Sequence, residues 1–236
     1  MKKLAFFSAR GLALCLMALA VNIPAQVTVY DNLAPTSYTG QYLYRTGEFG
    51  DEVNLETNAL QLTQIKVRDF TFQYFLELGT GGSAGNEQIT VRLYANDGPL
   101  FPGAPVGAQI FTPGTLLKSS SFFPGSDSGI WQVEVLDFRN LIVPDSFTWT
   151  VEFAGIDFEE QAGLLFYDPP VVGSSYQDFW VKVGQNWELQ NYTGGKNNFG
   201  ALITAVPEPA TIQLALLGGM AWLGLAYSRR NRGIRG

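Results

Sequence analysis

Glu134 and Glu152 are the first residues to weigh as chemistry, because paired carboxylates are the one catalytic device open to a chain with no histidine in 236 residues. Without imidazole there is no His-based triad, no His metal ligand and no general base titrating near neutrality. A glycosidase flanks the scissile sugar bond with two carboxyls about 5–10 Å apart, and these two glutamates fall on the polar faces of two expected strands. Exposed glutamate on a strand is also the ordinary solvated residue. A carboxylate glycosidase is therefore an alternative, and the leading expectation is a non-enzymatic protein.

Two further sets could bind rather than react. Asp97, within Asn96-Asp97-Gly98, and the group Asp157, Glu159 and Glu160 offer the oxygen ligands that calcium prefers, although neither has EF-hand spacing. Solvated acidic loops are the plainer reading, and no cofactor other than calcium is expected. Tyr176, Trp180 and Trp187 sit among Gly, Ser, Asp and Asn, the composition of a sugar-binding surface. The competing reading is a core hairpin with both tryptophans packed inward. A carbohydrate-binding module using Trp180 and Trp187, with Tyr176 beside them, is the first alternative to the non-enzymatic reading, ahead of the glycosidase.

Gly79-Thr80-Gly81-Gly82-Ser83-Ala84 matches a Gly-x-Gly-x-x-Ala fingerprint, but a dinucleotide site needs a helix N-terminus directly after it. Here Ile89, Val91 and Leu93 alternate with polar residues as in a strand, so the segment reads as a flexible hairpin loop.

The elements that must position these residues are strands. Period-two alternation runs through Ile89-Val91-Leu93, Trp131-Val133-Val135 and Phe147-Trp149-Val151-Phe153. Turn residues separate the runs, as at Asn96-Asp97-Gly98-Pro99, Phe101-Pro102-Gly103 and Asp168-Pro169-Pro170. Several one-sided strands bury their apolar faces best against each other, so the fold class is all-β, an antiparallel two-sheet sandwich of jelly-roll-like form. One strand changes phase: Ile65 and Val67 are odd-numbered, whereas Phe70, Phe72, Tyr74, Leu76 and Leu78 are even. A β-bulge or break is expected at Arg68-Asp69.

The ends are different in kind. Lys2, Lys3 and Arg10 precede an apolar stretch over 11–21 and then Ile23-Pro24-Ala25, which reads as a secretory signal peptide over 1–25. The single cysteine, Cys15, lies inside it, so the exported part has no disulfide and must be held by packing. Seven of the fifteen basic residues belong to the two ends. Residues 26–205 thus carry 20 acids against 8 bases, or −12, where the whole chain carries −6. Nucleic acid is excluded as a partner on that charge.

At the C-terminus Val206-Pro207-Glu208-Pro209-Ala210-Thr211 is followed by an apolar run that opens at Ile212 and closes at Tyr227. Arg229, Arg230, Arg232 and Arg235 come next. The run lies at the short end of the roughly 17–25 residues that cross a bilayer, and the arginines should stay cytoplasmic. Pro207-Glu208-Pro209, one transmembrane helix and a basic stop, in that order over 206–236, resemble the PEP-CTERM sorting signal of Gram-negative bacteria. The resemblance implies cutting near the motif by an exosortase, a membrane-embedded cysteine transpeptidase, in bacteria that export exopolysaccharide. It implies an inner membrane-anchored precursor, then a cell-surface or extracellular product with a structural or interaction role in exopolysaccharide or biofilm.

The interior, 26–205, also resembles a β-sandwich ectodomain common among PEP-CTERM proteins. The likeness rests on Gly50-Asp51-Glu52-Val53, Tyr94-Ala95-Asn96-Asp97-Gly98-Pro99, Pro144-Asp145-Ser146-Phe147-Thr148-Trp149, Pro169-Pro170, Gly173-Ser174-Ser175-Tyr176 and Asn198-Phe199-Gly200. It implies a fold and no established activity.

Overall fold

The computed structural model describes residues 26–33, 38–57, 65–79, 85–125, 127–191 and 197–206. The expected signal peptide, the Pro207-Glu208-Pro209 motif, the apolar run after Ile212 and the four terminal arginines lie outside the described residues. Among the described residues no helix is long and apolar enough to cross a membrane. Residues Gln26–Glu208 form one compact unit.

The described chain is all-β. Its strands are β1 (Val27–Asp31), β2 (Tyr38–Tyr44), β3 (Phe49–Asn54), β4 (Ile65–Glu77), β5 (Gln88–Ala95), β6 (Leu116–Phe122), β7 (Gly129–Glu134) and β8 (Ile142–Val143). They continue with β9 (Ser146–Ala154), β10 (Gln161–Tyr167), β11 (Ser174–Ser175), β12 (Phe179–Val183), β13 (Asn186–Gln190), β14 (Asn198–Phe199) and β15 (Ala201–Val206). A single 3-10 turn at Leu136–Phe138 is the only helical element among the described residues.

Two antiparallel sheets share these strands. The first runs β1-β15-β4-β10-β14, with β2 also on β10 and with β7 and β8 on β4; the second runs β13-β12-β3-β9-β5-β6, with β11 on β3. They face one another as a sandwich. Phe70 and Phe72 of the first sheet meet Trp149 of the second at ring-centroid distances of 5.6 and 5.8 Å, and Phe49 meets Phe199 at 5.5 Å. The apolar phase read from the sequence is the buried one: Ile89, Val91, Leu93, Phe147, Trp149, Val151 and Phe153 all belong to one core. Each such side chain contributes about 1.5–3 kcal/mol by leaving water.

The phase change in β4 is a bulge. Thr204 of β15 pairs with Asp69 and Ala205 with Val67, so Arg68 is the extra residue. Ile65 and Val67 on one side of it, and Phe70, Phe72, Tyr74 and Leu76 on the other, then all reach the interior. Thr204 secures the irregularity: its Oγ1 accepts from the Asp69 N–H at 3.2 Å and donates to Asp69 Oδ2 at 3.0 Å.

Two expectations are corrected. The connection containing Gly79 is no hairpin, because it leads from β4 in the first sheet to β5 in the second. Thr148 and Thr150 of β9, on the phase expected to be solvated, are fully buried. Something covers the outer face of the second sheet.

Candidate functional site

That outer face is polar, and Glu48 is its hub. The residue precedes β3 and is buried. One carboxylate oxygen accepts from the Tyr94 hydroxyl and from Thr150 Oγ1, each at 2.8 Å. The other meets Lys182 Nζ at 3.0 Å and Arg92 Nη1 at 3.4 Å. Burial alone would push the Glu48 carboxyl up, but Lys182, Thr150, Tyr94 and Arg92 together outweigh it and hold the group below its ordinary range. Arg92 continues to Glu152 at 2.8 Å. Trp187 lies edge-on to Tyr94 at 5.6 Å, with the Lys182 ammonium 5.3 Å from its ring centre. These charges are spent on one another, and the knot is structural.

Beside it, residues 96–115 between β5 and β6 fold back as an irregular arm. Leu100 bridges to Phe111, the Phe101 N–H donates to the Ile110 carbonyl at 2.8 Å, and the Thr112 N–H donates to the Pro99 carbonyl at 3.0 Å. The turn residues Asn96-Asp97-Gly98-Pro99 make the bend. Asp97 closes its base by accepting from the Thr115 N–H at 2.6 Å and the Thr115 hydroxyl at 2.7 Å, and these donors hold its carboxyl below the usual value. The arm sets Phe101 edge-on against Trp180 at 5.5 Å.

That contact overturns one expected sugar contact. Trp180 is 1% exposed; its indole is closed beneath Phe101 and presents no face to a ligand. Trp187 is partly buried in the Tyr94–Lys182 cage. Tyr176, 55% exposed, is the one member of the expected trio with an open ring, so the structure does not assemble the three as a single binding surface.

Tyr176 stands at a cleft of about 610 Å³ between the arm and the sheet, lined also by Glu52, Asn96, Phe111, Asp178 and Leu189. A relay crosses its floor: Thr148 Oγ1 donates to Asn96 Oδ1 at 2.7 Å, Asn96 Nδ2 to Ser146 Oγ at 2.9 Å, and Ser146 Oγ to Glu52 Oε1 at 3.2 Å. Burial holds the Glu52 carboxyl above its ordinary range; the Ser146 donor and the Trp180 N–H relieve part of this, and Asp178 adds to it. The Trp180 N–H faces Glu52 outside hydrogen-bond geometry, as a dipole rather than a donor. Burial raises Asp178 as well. The cleft thus combines an open ring, an amide relay and two carboxyls that take up protons more readily than usual. Such carboxyls can donate and accept hydrogen bonds with hydroxyls.

The expected catalytic pair is not assembled. Glu134 lies on β7 in the first sheet, where Oε1 meets Arg139 Nη2 at 2.6 Å, and Glu152 lies on β9 in the second, held by Arg92. Their polar phases point away from the shared core, on opposite outer faces, so no sugar bond can lie between them. Of the calcium candidates, Asp97 clamps the arm and Glu160 Oε2 accepts from the Asp157 N–H at 2.9 Å. Among the described residues no three or more Asp, Glu, His or Cys side chains are placed to hold a metal ion.

Sequence reasoning missed Glu48, Glu52, Asp178 and the Phe101 arm. A signal existed in β3 and the residue before it, where Glu48, Gly50 and Glu52 share one phase against Phe49 and Val53 on the other. The Glu48 partners Arg92 and Lys182 and the Glu52 partner Ser146 come from distant strands, and that pairing is written in no local pattern. No protein-family model, curated protein or solved structure matches this chain.

Proposed function

We propose that this chain is an exported, exosortase-processed envelope or matrix protein whose jelly-roll-like ectodomain binds an extracellular saccharide in the arm-roofed cleft. On this reading residues 1–25 are a signal peptide, Pro207-Glu208-Pro209 is the processing motif, and the segment from Ile212 to Tyr227 with its four arginines is the membrane anchor of the precursor. The described strands all lie within residues 27–206, so a cut near Pro207-Glu208-Pro209 would leave them whole. Partners are the exosortase, the inner membrane before processing and exopolysaccharide afterwards. No catalytic step is assigned.

The observation that carries the binding role is the open Tyr176 ring beside Glu52 and Asp178. A sugar offers C–H faces to the ring and hydroxyls to the carboxyls. Glycan-array binding of the purified chain tests it. Tyr176→Ala should weaken binding about tenfold, a loss of about 1.4 kcal/mol, with stability unchanged within about 0.5 kcal/mol. Trp180→Ala should cost about 3–5 kcal/mol of folding free energy. Unchanged binding by Tyr176→Ala would remove the cleft from consideration.

One observation favours a second reading. Glu52 and Asp178 share the cleft and are both raised, the condition for a general acid in a carboxylate glycosidase. They replace Glu134 and Glu152 in that role. Reducing-sugar release abolished by Glu52→Gln would support catalysis; no release from any bound glycan would dismiss it.

A further inference from the structure

The outer face of the first sheet carries a different chemistry. Tyr42 on β2 sits opposite Leu165 on β10, Tyr38 opposite Tyr167, and Gly163 opposite both Tyr44 and Phe75 of β4. Close approach requires the glycine: a Cβ there would collide with the Leu43 carbonyl oxygen and come 2.7 Å from Phe75 Cε1. The Phe75 ring beside it meets Tyr42 at a centroid distance of 4.4 Å. Tyr38 packs on Tyr167 at 5.6 Å. Tyr38, Tyr42 and Tyr44 are nevertheless 38%, 49% and 61% exposed.

Uncharged polar groups continue the same face. The Tyr167 hydroxyl donates to Gln73 Oε1, and Gln73 Nε2 donates to Gln132 Oε1 at 2.9 Å. Ile130 stands beside a shallow hollow of about 360 Å³ bordered by Tyr38, Tyr42, Phe75 and Leu165, in which Glu77 is the only charged side chain. No Lys or Arg lines it. The domain carries 20 acids against 8 bases, and the charges elsewhere on this sheet include the ion pairs Glu134–Arg139 and Asp69–Arg139, so a hollow with one charged side chain is an exception to the composition.

We infer that this face is a second carbohydrate-binding surface, a platform for an uncharged polysaccharide chain, separate from the cleft on the opposite sheet. Charge decides the occupant. An acidic polymer finds no Lys or Arg lining the hollow and is repelled by the domain's net −12, and a second copy of the chain would bring the same excess of negative charge to the contact. An uncharged pyranose chain is not repelled. It sets C–H faces on the rings and hydroxyls against the phenols of Tyr38, Tyr42 and Tyr44 and the Gln73–Gln132 amides. The inference does not rest on the cleft, and its test separates the two.

The test is affinity electrophoresis of the purified full chain in gels containing hydroxyethylcellulose, xylan, galactomannan or dextran, with alginate as the acidic comparison. Retardation is expected from at least one uncharged polymer and not from alginate. The double variant Tyr42→Ala/Tyr44→Ala should raise Kd about tenfold or more, a loss of at least about 1.4 kcal/mol, since it removes two of the rings. Tyr42→Phe/Tyr44→Phe, which keeps the rings, should stay within about threefold of wild type. Where circular dichroism finds the double variant melting early, Tyr44→Ala alone is read in its place.

Retention of binding in the alanine variant with loss in Tyr176→Ala would overturn the platform and leave the cleft standing. Retardation by none of the uncharged polymers, or by alginate only, would also overturn it. So would a concentration-dependent dimer in sedimentation that the alanine variant abolishes, which would make the face a self-association surface.

Discussion

Asp51 is the carboxylate held furthest from its ordinary chemistry. It points inward from β3 and is fully buried; Oδ2 accepts from Ser175 Oγ at 2.9 Å and the Phe199 N–H at 3.2 Å, while Oδ1 has no protein partner. Burial raises its pKa well above the usual value; Ser175 and Phe199 relieve only part, and Asp178 and Glu52 push it further up. A raised folded pKa contributes stability that is full below the unfolded value, near 4, and is lost as pH climbs toward the folded one. Glu48 has the opposite sign: its lowered pKa contributes stability that is present above its unfolded value and lost as pH falls. Asp51→Asn should therefore be more stable than wild type at pH 8 and similar to it at pH 4. Each pH unit of raised pKa is worth about 1.4 kcal/mol. Urea unfolding across that range measures it. A variant whose stability differs from wild type by the same amount at both ends would mean that the Asp51 pKa is not raised in the fold. The sequence showed Asp51 only within a turn-and-core signature, because burial of a carboxylate depends on Ser175 and Phe199, which lie more than a hundred residues away.

Among the elements, β4 was the most legible from sequence and the arm the least. Alternation marked the strand and its fault, since a slip of one residue would turn Phe70, Phe72 and Tyr74 outward. Arg68 supports the interior by occupying a position rather than through its side chain. Arg68→Ala should change stability by no more than about 0.5 kcal/mol, whereas deleting Arg68 should abolish cooperative unfolding, because either half of β4 must then expose its apolar set. Thermal melting followed by tryptophan fluorescence compares the two. A well-folded deletion variant would show that the bulge is dispensable. The arm was legible only as turns: Asn96-Asp97-Gly98-Pro99 announced a bend, but nothing local said that Phe101 would land on Trp180. That long-range contact is why Trp180, read as a candidate sugar contact, is core, while Tyr176, in the same segment, stays open.

At the scale of the whole molecule, the sandwich presents two unlike outer faces. One carries the charge knot and the cleft with Glu52, Asp178 and Tyr176; the other carries a ring-paved hollow whose one charged lining side chain is Glu77, with the Glu134–Arg139–Asp69 ion pairs elsewhere on the same sheet. The core needs no disulfide, the only cysteine being Cys15, and the described strands lie within residues 27–206. Export followed by release or transfer at Pro207-Glu208-Pro209 would put both faces where sugar polymers are. Intact-mass spectrometry of the protein matured in a Gram-negative host that carries an exosortase tests this most directly. The account predicts a chain that begins at Gln26 and lacks the segment from Ile212 to Arg235, with the tail retained when Pro207, Glu208 and Pro209 are all replaced by alanine. A wild-type product that still carries Arg235 would contradict it.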